Sequence, residues 1–309
     1  MSVLTRSTGR MALSGSAGTP LAMLAMVAAT LLLPLGDTIS KLLTSFANPL
    51  EVSTLRVLTQ AAVLVPLAVL TRTSFRGAFS PVVFIAGFCF AMVSFALIAS
   101  FQVMPIATAI SIFFIEPLFL TLLARPLLGE AVGLRRYVAV GVGLIGAVIV
   151  IRPNFATFGW IALLPAFAAL AFAINMVMVR RASRTRAPLT IQVGATLYGV
   201  LVMSAVTLGA HQMGWISFGF AAAPDWAWGA VLAAGALAAV TFLLIGFAFS
   251  RAEASLLAPF QYLEIVGAVA FGWLVFDDLP DALTCLGTAI ILGAGIYVFH
   301  RERKVQSAP

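Results

Sequence analysis

Residues 227–249 read AWGAVLAAGALAAVTFLLIGFAF, an unbroken run with no charged side chain, bounded by Asp225 before it and Arg251 after it. A helix needs roughly 20 apolar residues to cross a hydrocarbon core of about 30 Å, and this run meets that length. Nine further runs come close to it: 21–44, 49–70, 81–103, 106–126, 134–151, 158–179, 189–209, 254–276 and 282–299. The composition agrees, since 62% of the 309 residues are hydrophobic and 9% are charged, against about 25% charged in a soluble domain. So little polar surface does not cover a water-soluble globule of this size. None of the runs alternates in the manner of an outer-membrane strand. The expected fold class is therefore all-α integral membrane, with ten transmembrane helices.

A net charge of +7 and a pI near 10.2 raise the question of nucleic acid, but the basic residues follow a different pattern. With the N-terminus in the cytoplasm, Arg6, Arg10, Arg72, Arg76, Arg125, Arg135 and Arg136 fall in inside segments. So do Arg180, Arg181, Arg184, Arg186, Arg251, Arg301, Arg303 and Lys304, which makes 15 of the 18 Lys and Arg residues. Arg152 is in an outside loop, and Lys41 and Arg56 are within helices. The positive-inside rule then puts both termini in the cytoplasm. Trp160, Trp215, Trp226, Trp228 and Trp273 all fall on the outer side in this topology, at the boundary that indole rings favour. Cys89 and Cys285 lie within expected helices, where a small apolar side chain packs well and no disulfide framework is indicated. The first apolar run continues through Asp37 and Lys41 without a cleavage site, so it reads as a helix and not as a signal peptide.

Helices 3 to 5 of this series can be laid over helices 8 to 10. At an offset of 147, Ala91, Ser94, Phe95 and Ala107 match Ala238, Thr241, Phe242 and Ala254; at 148, Glu116 matches Glu264 and Glu130 matches Asp278. Two halves of five helices each are thereby expected, as a first repeat over 21–153 and a second over 154–300, flanked by cytoplasmic segments 1–20 and 301–309. Five is odd, so the second half enters the membrane from the opposite side. Inverted repeats of this kind are a transporter architecture that holds solute near the midplane. The longest loop, about 210–226, carries His211, Trp215, Phe218, Phe220 and Trp226 and reads as a segment in the outer interface.

Ionisable groups inside a bilayer cost roughly 2.5–3.5 kcal/mol each on insertion scales, which makes those present candidates for function. Asp37 and Lys41 are four apart on helix 1, close enough to pair on one face, with Thr30 and Pro34 on the same stripe, and Arg56 on helix 2 belongs at similar depth. They form a structural ion-pair cluster, a substrate-contacting group, or both, since an outer gate is itself an ion-pair cluster that opens. Glu116 on helix 4 and Glu264 on helix 9 sit at matching places in the repeat, each near a proline, Pro117 and Pro259, that frees the carbonyls of Phe113 and Ser255. They bind or couple solute, or serve packing alone. Phe113, Gln261 and Tyr262 flank the glutamates, and Asn175 on helix 6 is the second half's candidate polar counterpart to Asp37. Acids, amides and aromatic faces together suit a planar or zwitterionic organic solute. Gly141, Gly143 and Gly146, with Gly287, Gly293 and Gly295, read as close helix packing.

From Pro259 to Arg303 the chain reads PFQYLEIVGAVAFGWLVFDDLPDALTCLGTAIILGAGIYVFHRER. This stretch resembles the closing half-repeat of the drug/metabolite transporter superfamily, in its ten-helix EamA-type branch. Ile115–Pro117, Gly129–Glu130 and the run GAVIVIRP ending at Pro153 resemble the first half. Asp278 stands where the family often has Glu, and Asp277 where the first repeat has Gly129, both in an outer loop expected not to touch substrate. The helix-1 stretch LGDTISKL is most similar to the bacterial branch that contains riboflavin importers, with S-adenosylmethionine carriers also similar. What the resemblance implies is transport of a small organic metabolite across the bacterial cytoplasmic membrane, with riboflavin uptake first and import or export of S-adenosylmethionine or an amino-acid or drug-type metabolite as the alternative. Membrane lipid and a second copy of the chain are the other candidate partners; no cofactor and no nucleic acid are expected. Neither Lys41 nor Lys304 completes a nucleotide-binding loop, so the driving energy is a gradient. No HExxH or GxSxG is present for an intramembrane enzyme, and a non-transporting subunit has no need of midplane glutamates.

Overall fold

The computed structural model describes residues 18–123, 127, 134–252, 257 and 260–306. Arg6, Arg10, Arg125, Gly129, Glu130, Ala254, Ser255 and Pro259, which entered the expectations above, lie outside these. Among the described residues the secondary structure is helical throughout. In chain order the α-helices are α1 Gly18–Leu43, α2 Pro49–Leu70, α3 Pro81–Val103, α4 Ile106–Phe113, α5 Glu116–Leu123 and α6 Leu134–Phe158. They continue with α7 Leu164–Ala182, α8 Pro188–Gln212, α9 Asp225–Arg251, α10 Leu263–Phe276 and α11 Ala282–Gln306.

Among the described residues, seven stretches are long and apolar enough to cross a membrane, with Leu263–Phe276 and Ala282–Tyr297 as shorter apolar helices. One stretch, Tyr137–Ala182, is 46 residues long. It holds α6 and α7 with a 3-10 turn at Gly159–Leu163 between them, and Gly159 opens that turn at φ +62. α6 runs past its expected end at 151 because Pro153 removes only one donor from the ladder and the Asn154 amide donates to the Val150 carbonyl at 2.6 Å.

Proline supplies the first turn of α2, α3 and α8, where no N–H is required, and the Asn48 side chain caps α2 through the Leu50 N–H at 3.0 Å. The helices then pack in definite pairs: α1 along α9, α3 along α7, α6 along α11, and α2 against both α8 and α9. α10 lies between α1 and α4. Glycine sets the closest of these approaches. A Cβ on Gly146 would sit 2.8 Å from Ile290 and 2.9 Å from the Gly287 carbonyl, and one on Gly143 would meet Leu118 and Ala294. Gly141 and Gly293 face open space, so their expected part in helix packing is corrected; Gly295 lies against the Tyr262 hydroxyl. Gly146→Ile is accordingly expected to destabilise the protein by about 1–3 kcal/mol through overpacking, read as a lowered melting temperature in detergent, while Gly141→Ile leaves it unchanged.

The long loop does more than rest at an interface. The Glu51 carboxylate accepts the N–H groups of Gly219 at 2.9 Å and Phe220 at 3.2 Å, which clasps the loop to the start of α2. Phe220 is buried in the main apolar core instead of meeting lipid headgroups, with its ring edge-on to Trp228 at 4.6 Å. A side chain at 219 would collide with the Phe46 carbonyl, so the clasp requires glycine there.

Candidate functional site

The helix expected over 106–126 is broken. Phe114 and Ile115 form a turn between α4 and α5, and α5 begins at Glu116. Pro117 explains the break: it lacks an N–H and its ring clashes with the preceding turn of a continuing helix, but it fits the first turn of a new one. The second half repeats the device. Tyr262 is in a turn, α10 begins at Leu263, and Glu264 is in its first turn. Both glutamates therefore open a helix, where free N–H groups and the helix dipole favour an acidic side chain.

Packing sets the start of α10 between α1 and α4, beside the α4–α5 break. Gly267 on α10 lies against the Pro34 ring, one turn beyond Glu264, and Glu264 is within electrostatic range of both Asp37 and Glu116. Tyr262 is in range of Glu116, its ring centroid is 5.7 Å from that of Phe114, and its hydroxyl rests on Gly295 of α11. Three carboxyl groups and a phenol from α1, the α4–α5 break and the start of α10 thus share one region. Gln261 is half-buried at the same helix start.

The charges are unevenly matched. Arg56 Nη1 donates to Asp37 Oδ1 at 3.2 Å and to Ser40 Oγ at 3.1 Å, so the Asp37 charge is balanced. No basic side chain forms a salt bridge with Glu116 or Glu264 among the described residues. Lys41 does not pair with Asp37, as its spacing suggested. Its Nζ donates to Asp278 Oδ2 at 2.6 Å and to the Met104 carbonyl at 3.2 Å, and lies 4.5 Å from the Phe276 ring centre. Asp277 makes this possible by taking the left-handed conformation that ends α10, φ +57, so that the chain turns Asp278 towards α1. Asp278, expected to be a bystander in a loop, fastens α1 to the α10–α11 turn.

Two candidates are placed elsewhere. Asn175 donates from Nδ2 to the Ala86 carbonyl at 2.7 Å and so ties α7 to α3. Phe113 stands edge-on to Phe172 at 5.6 Å; the turn that follows it hands the position beside Tyr262 to Phe114. Thr30 is buried with its hydroxyl on its own helix, at the Met26 carbonyl. Among the described residues no cluster of three or more His, Cys, Asp or Glu is arranged to hold a metal ion. Surface clefts of about 410 Å³ along α6 and α11 and about 340 Å³ beside Thr44–Asn48 do not include the carboxyl groups. Asp37 at 5% and Glu264 at 9% exposure are enclosed in this conformation, while Glu116 is half-buried.

Comparison with known proteins gives this arrangement a setting. The model of the EamA-like transporter family matches residues 20–152 and again residues 159–299. A riboflavin transporter of Rhizobium johnstonii is 31% identical over 69% of this chain and 68% of its own length. An S-adenosylmethionine uptake transporter of Rickettsia bellii is 27% identical over 88% of this chain and 90% of its own. A solved crystal structure covers 94% of this chain and 99% of its own at a TM-score of 0.59 and 18% identity, a likeness of fold.

Proposed function

Because the chain belongs to the EamA-like transporter family of the drug/metabolite transporter superfamily, we propose that it takes up a small planar organic metabolite, riboflavin first, across the bacterial cytoplasmic membrane. Transport is secondary and proceeds by alternating access between two inverted five-helix halves. The observation that carries this reading is the gathering of Asp37, Glu116 and Glu264 at two mid-bundle helix starts, one from each half. Broken helices whose ends face a shared site are how carriers hold solute at the midplane.

Several features support the ten-span, two-half architecture. The stretch Tyr137–Ala182 has the length of two crossings, and the family model matches twice. Exchanging the halves turns the α1–α9 pair into the α7–α3 pair, while α2–α8 and α6–α11 map onto themselves. The basic residues favour cytoplasmic termini. In that orientation the Lys41–Asp278 and Arg56–Asp37 pairs lie towards the outer side, closing it, and the pocket meets solute when they part. Glu264, buried, and Glu116, half-buried, with no salt bridge to either among the described residues, are suited to exchanging protons as the pocket alternates between wet and dry. Relatives named as transporters, and a site without a nucleophile–base pair, favour a carrier over an enzyme.

The charge balance favours a second reading of the substrate. Three acids face one bound guanidinium, and the surplus of negative charge suits a cation such as S-adenosylmethionine better than neutral riboflavin. The purified chain in liposomes separates the two: saturable uptake of labelled riboflavin supports the first, and uptake of S-adenosylmethionine competed by unlabelled S-adenosylmethionine but not by riboflavin supports the second. Rescue of a riboflavin auxotroph by the expressed chain is the cellular counterpart. Movement of neither solute sinks both.

A further inference from the structure

Gln60 on α2 is 1% exposed, and among the described residues neither its Oε1 nor its Nε2 has a hydrogen-bond partner. The hydroxyls of Thr196 on α8 and Thr241 on α9, each also 1% exposed, are unpartnered as well. This is unusual within the bundle. Thr38, Thr54, Thr121 and Thr288 each donate to the carbonyl four residues earlier, and Asn175 finds a carbonyl on the next helix.

Helix register sets Gln60 opposite Thr196 and places Thr241 further along the same wall. α2 and α8 run antiparallel: the Thr54 and Thr207 hydroxyls are 2.8 Å apart, Val57 adjoins Gly199, and Leu64 packs with Val193. Gln60 therefore falls opposite Thr196. α2 and α9 run parallel: Thr59 donates to the Val231 carbonyl, Gly235 abuts the Gln60 backbone nitrogen, and Leu64 and Ala239 share one apolar cluster, so Thr241 lies beyond the level of Gln60. Gly36 has Arg56 Nη2 and Leu237 as its neighbours; one turn on from each lie Gln60 and Thr241. The same wall that presents Arg56 to Asp37 thus continues into a sealed amide and hydroxyl. Beside them Phe90 and Phe242 meet edge-on at 5.7 Å, with Phe90 also against Gly199.

We propose that Gln60, seconded by Thr196 opposite it, is a solute-reading residue that hydrogen-bonds the donor–acceptor edge of a planar heterocycle when the α2–α8–α9 wall opens. The proposal rests on the transport reading above. A primary amide offers a donor and an acceptor side by side, and its complement is a ring edge carrying an acceptor beside a donor, as in amide recognition of adenine. The imide of riboflavin and the aminopurine edge of S-adenosylmethionine both have that pattern. In a bundle surrounded by lipid, an amide sealed without partners is costly. Docking of the ring edge recovers that cost, and the adjacent phenylalanines offer faces for the ring.

Gln60→Met keeps side-chain length and removes both polar atoms. In detergent its melting temperature is expected to equal or exceed that of the parent, because an unsatisfied amide has gone. In liposomes its KM for the transported solute is expected to rise about tenfold. The parent is expected to discriminate about tenfold against 3-methylriboflavin, or against an N6-dimethylated S-adenosylmethionine, each lacking the edge donor, and the variant not at all. An unchanged KM, equal handling of the methylated solute by the parent, or a lowered melting temperature that shows the amide to be a structural or hydrated group, each overturns the assignment while leaving transport intact. Failure of the parent to move either solute overturns the transport reading and this assignment with it.

Discussion

Glu264→Gln is expected to weaken binding of a cationic solute by about tenfold to hundredfold, the range set by losing one hydrogen bond to a charged partner. The side chain keeps its size, so the start of α10 and its contact with Pro34 through Gly267 stay as they are. What changes is the capacity to hold a negative charge, in a region where Glu264 feels both Asp37 and Glu116 and, among the described residues, no basic side chain forms a salt bridge with it. For a neutral solute the same substitution removes one carboxylate among three and leaves KM within about threefold, less than the roughly 1.4 kcal/mol of a tenfold change. The comparison therefore reads out the charge of the natural cargo as well as the role of the residue. Combining Glu264→Gln with Glu116→Gln removes every uncompensated acid in the site. The double variant is expected to transport at a rate that no longer varies with pH between about 5 and 8, since the groups suited to carrying protons through the alternation have gone. Normal, pH-sensitive uptake by the double variant in liposomes would show that the glutamates serve packing alone.

Much of this arrangement is legible in the sequence because lipid imposes simple demands. Apolar runs of crossing length announce themselves, and an acid such as Glu116 or Glu264 inside one stands out. Partners across helices do not. The four-residue spacing of Asp37 and Lys41 speaks only of their own helix, whereas the real partner of Lys41 is 237 positions away in a loop. Two local signals carried more than composition revealed. Pro117 marked the break that gives α5 its own N-terminus and passes the aromatic role from Phe113 to Phe114. Gln60, four residues after Arg56, was the continuation of a polar stripe on α2. An amide in an apolar helix draws less attention than a charge, and only the absence of a partner in three dimensions distinguishes it. Glu51 was missed for a related reason: an acid in a first turn looks like ordinary dipole compensation, and its clasp on Gly219 and Phe220 depends on a loop more than 160 residues later.

Arg56→Ala should be the most damaging single substitution to stability. Asp37 is 5% exposed, and the only salt bridge it forms among the described residues is with Arg56. Removing one partner of a buried ion pair leaves the other charge without compensation, at a cost of about 3–5 kcal/mol. The loss also frees Ser40 Oγ, which the same Nη1 holds at 3.1 Å, and opens space beside Gly36. Adding Asp37→Asn to Arg56→Ala takes away the stranded charge, so the double variant is expected to be more stable than Arg56→Ala alone by about 2 kcal/mol or more. Arg56→Lys should fall between, because an ammonium supplies the charge but not the guanidinium fork that reaches Asp37 and Ser40 together. Unfolding of the parent, Arg56→Ala, Asp37→Asn and the double variant in detergent closes the cycle. If the losses of Arg56→Ala and Asp37→Asn simply add, the two groups are not coupled, and the tie between α1 and α2 must come from the apolar contacts around them.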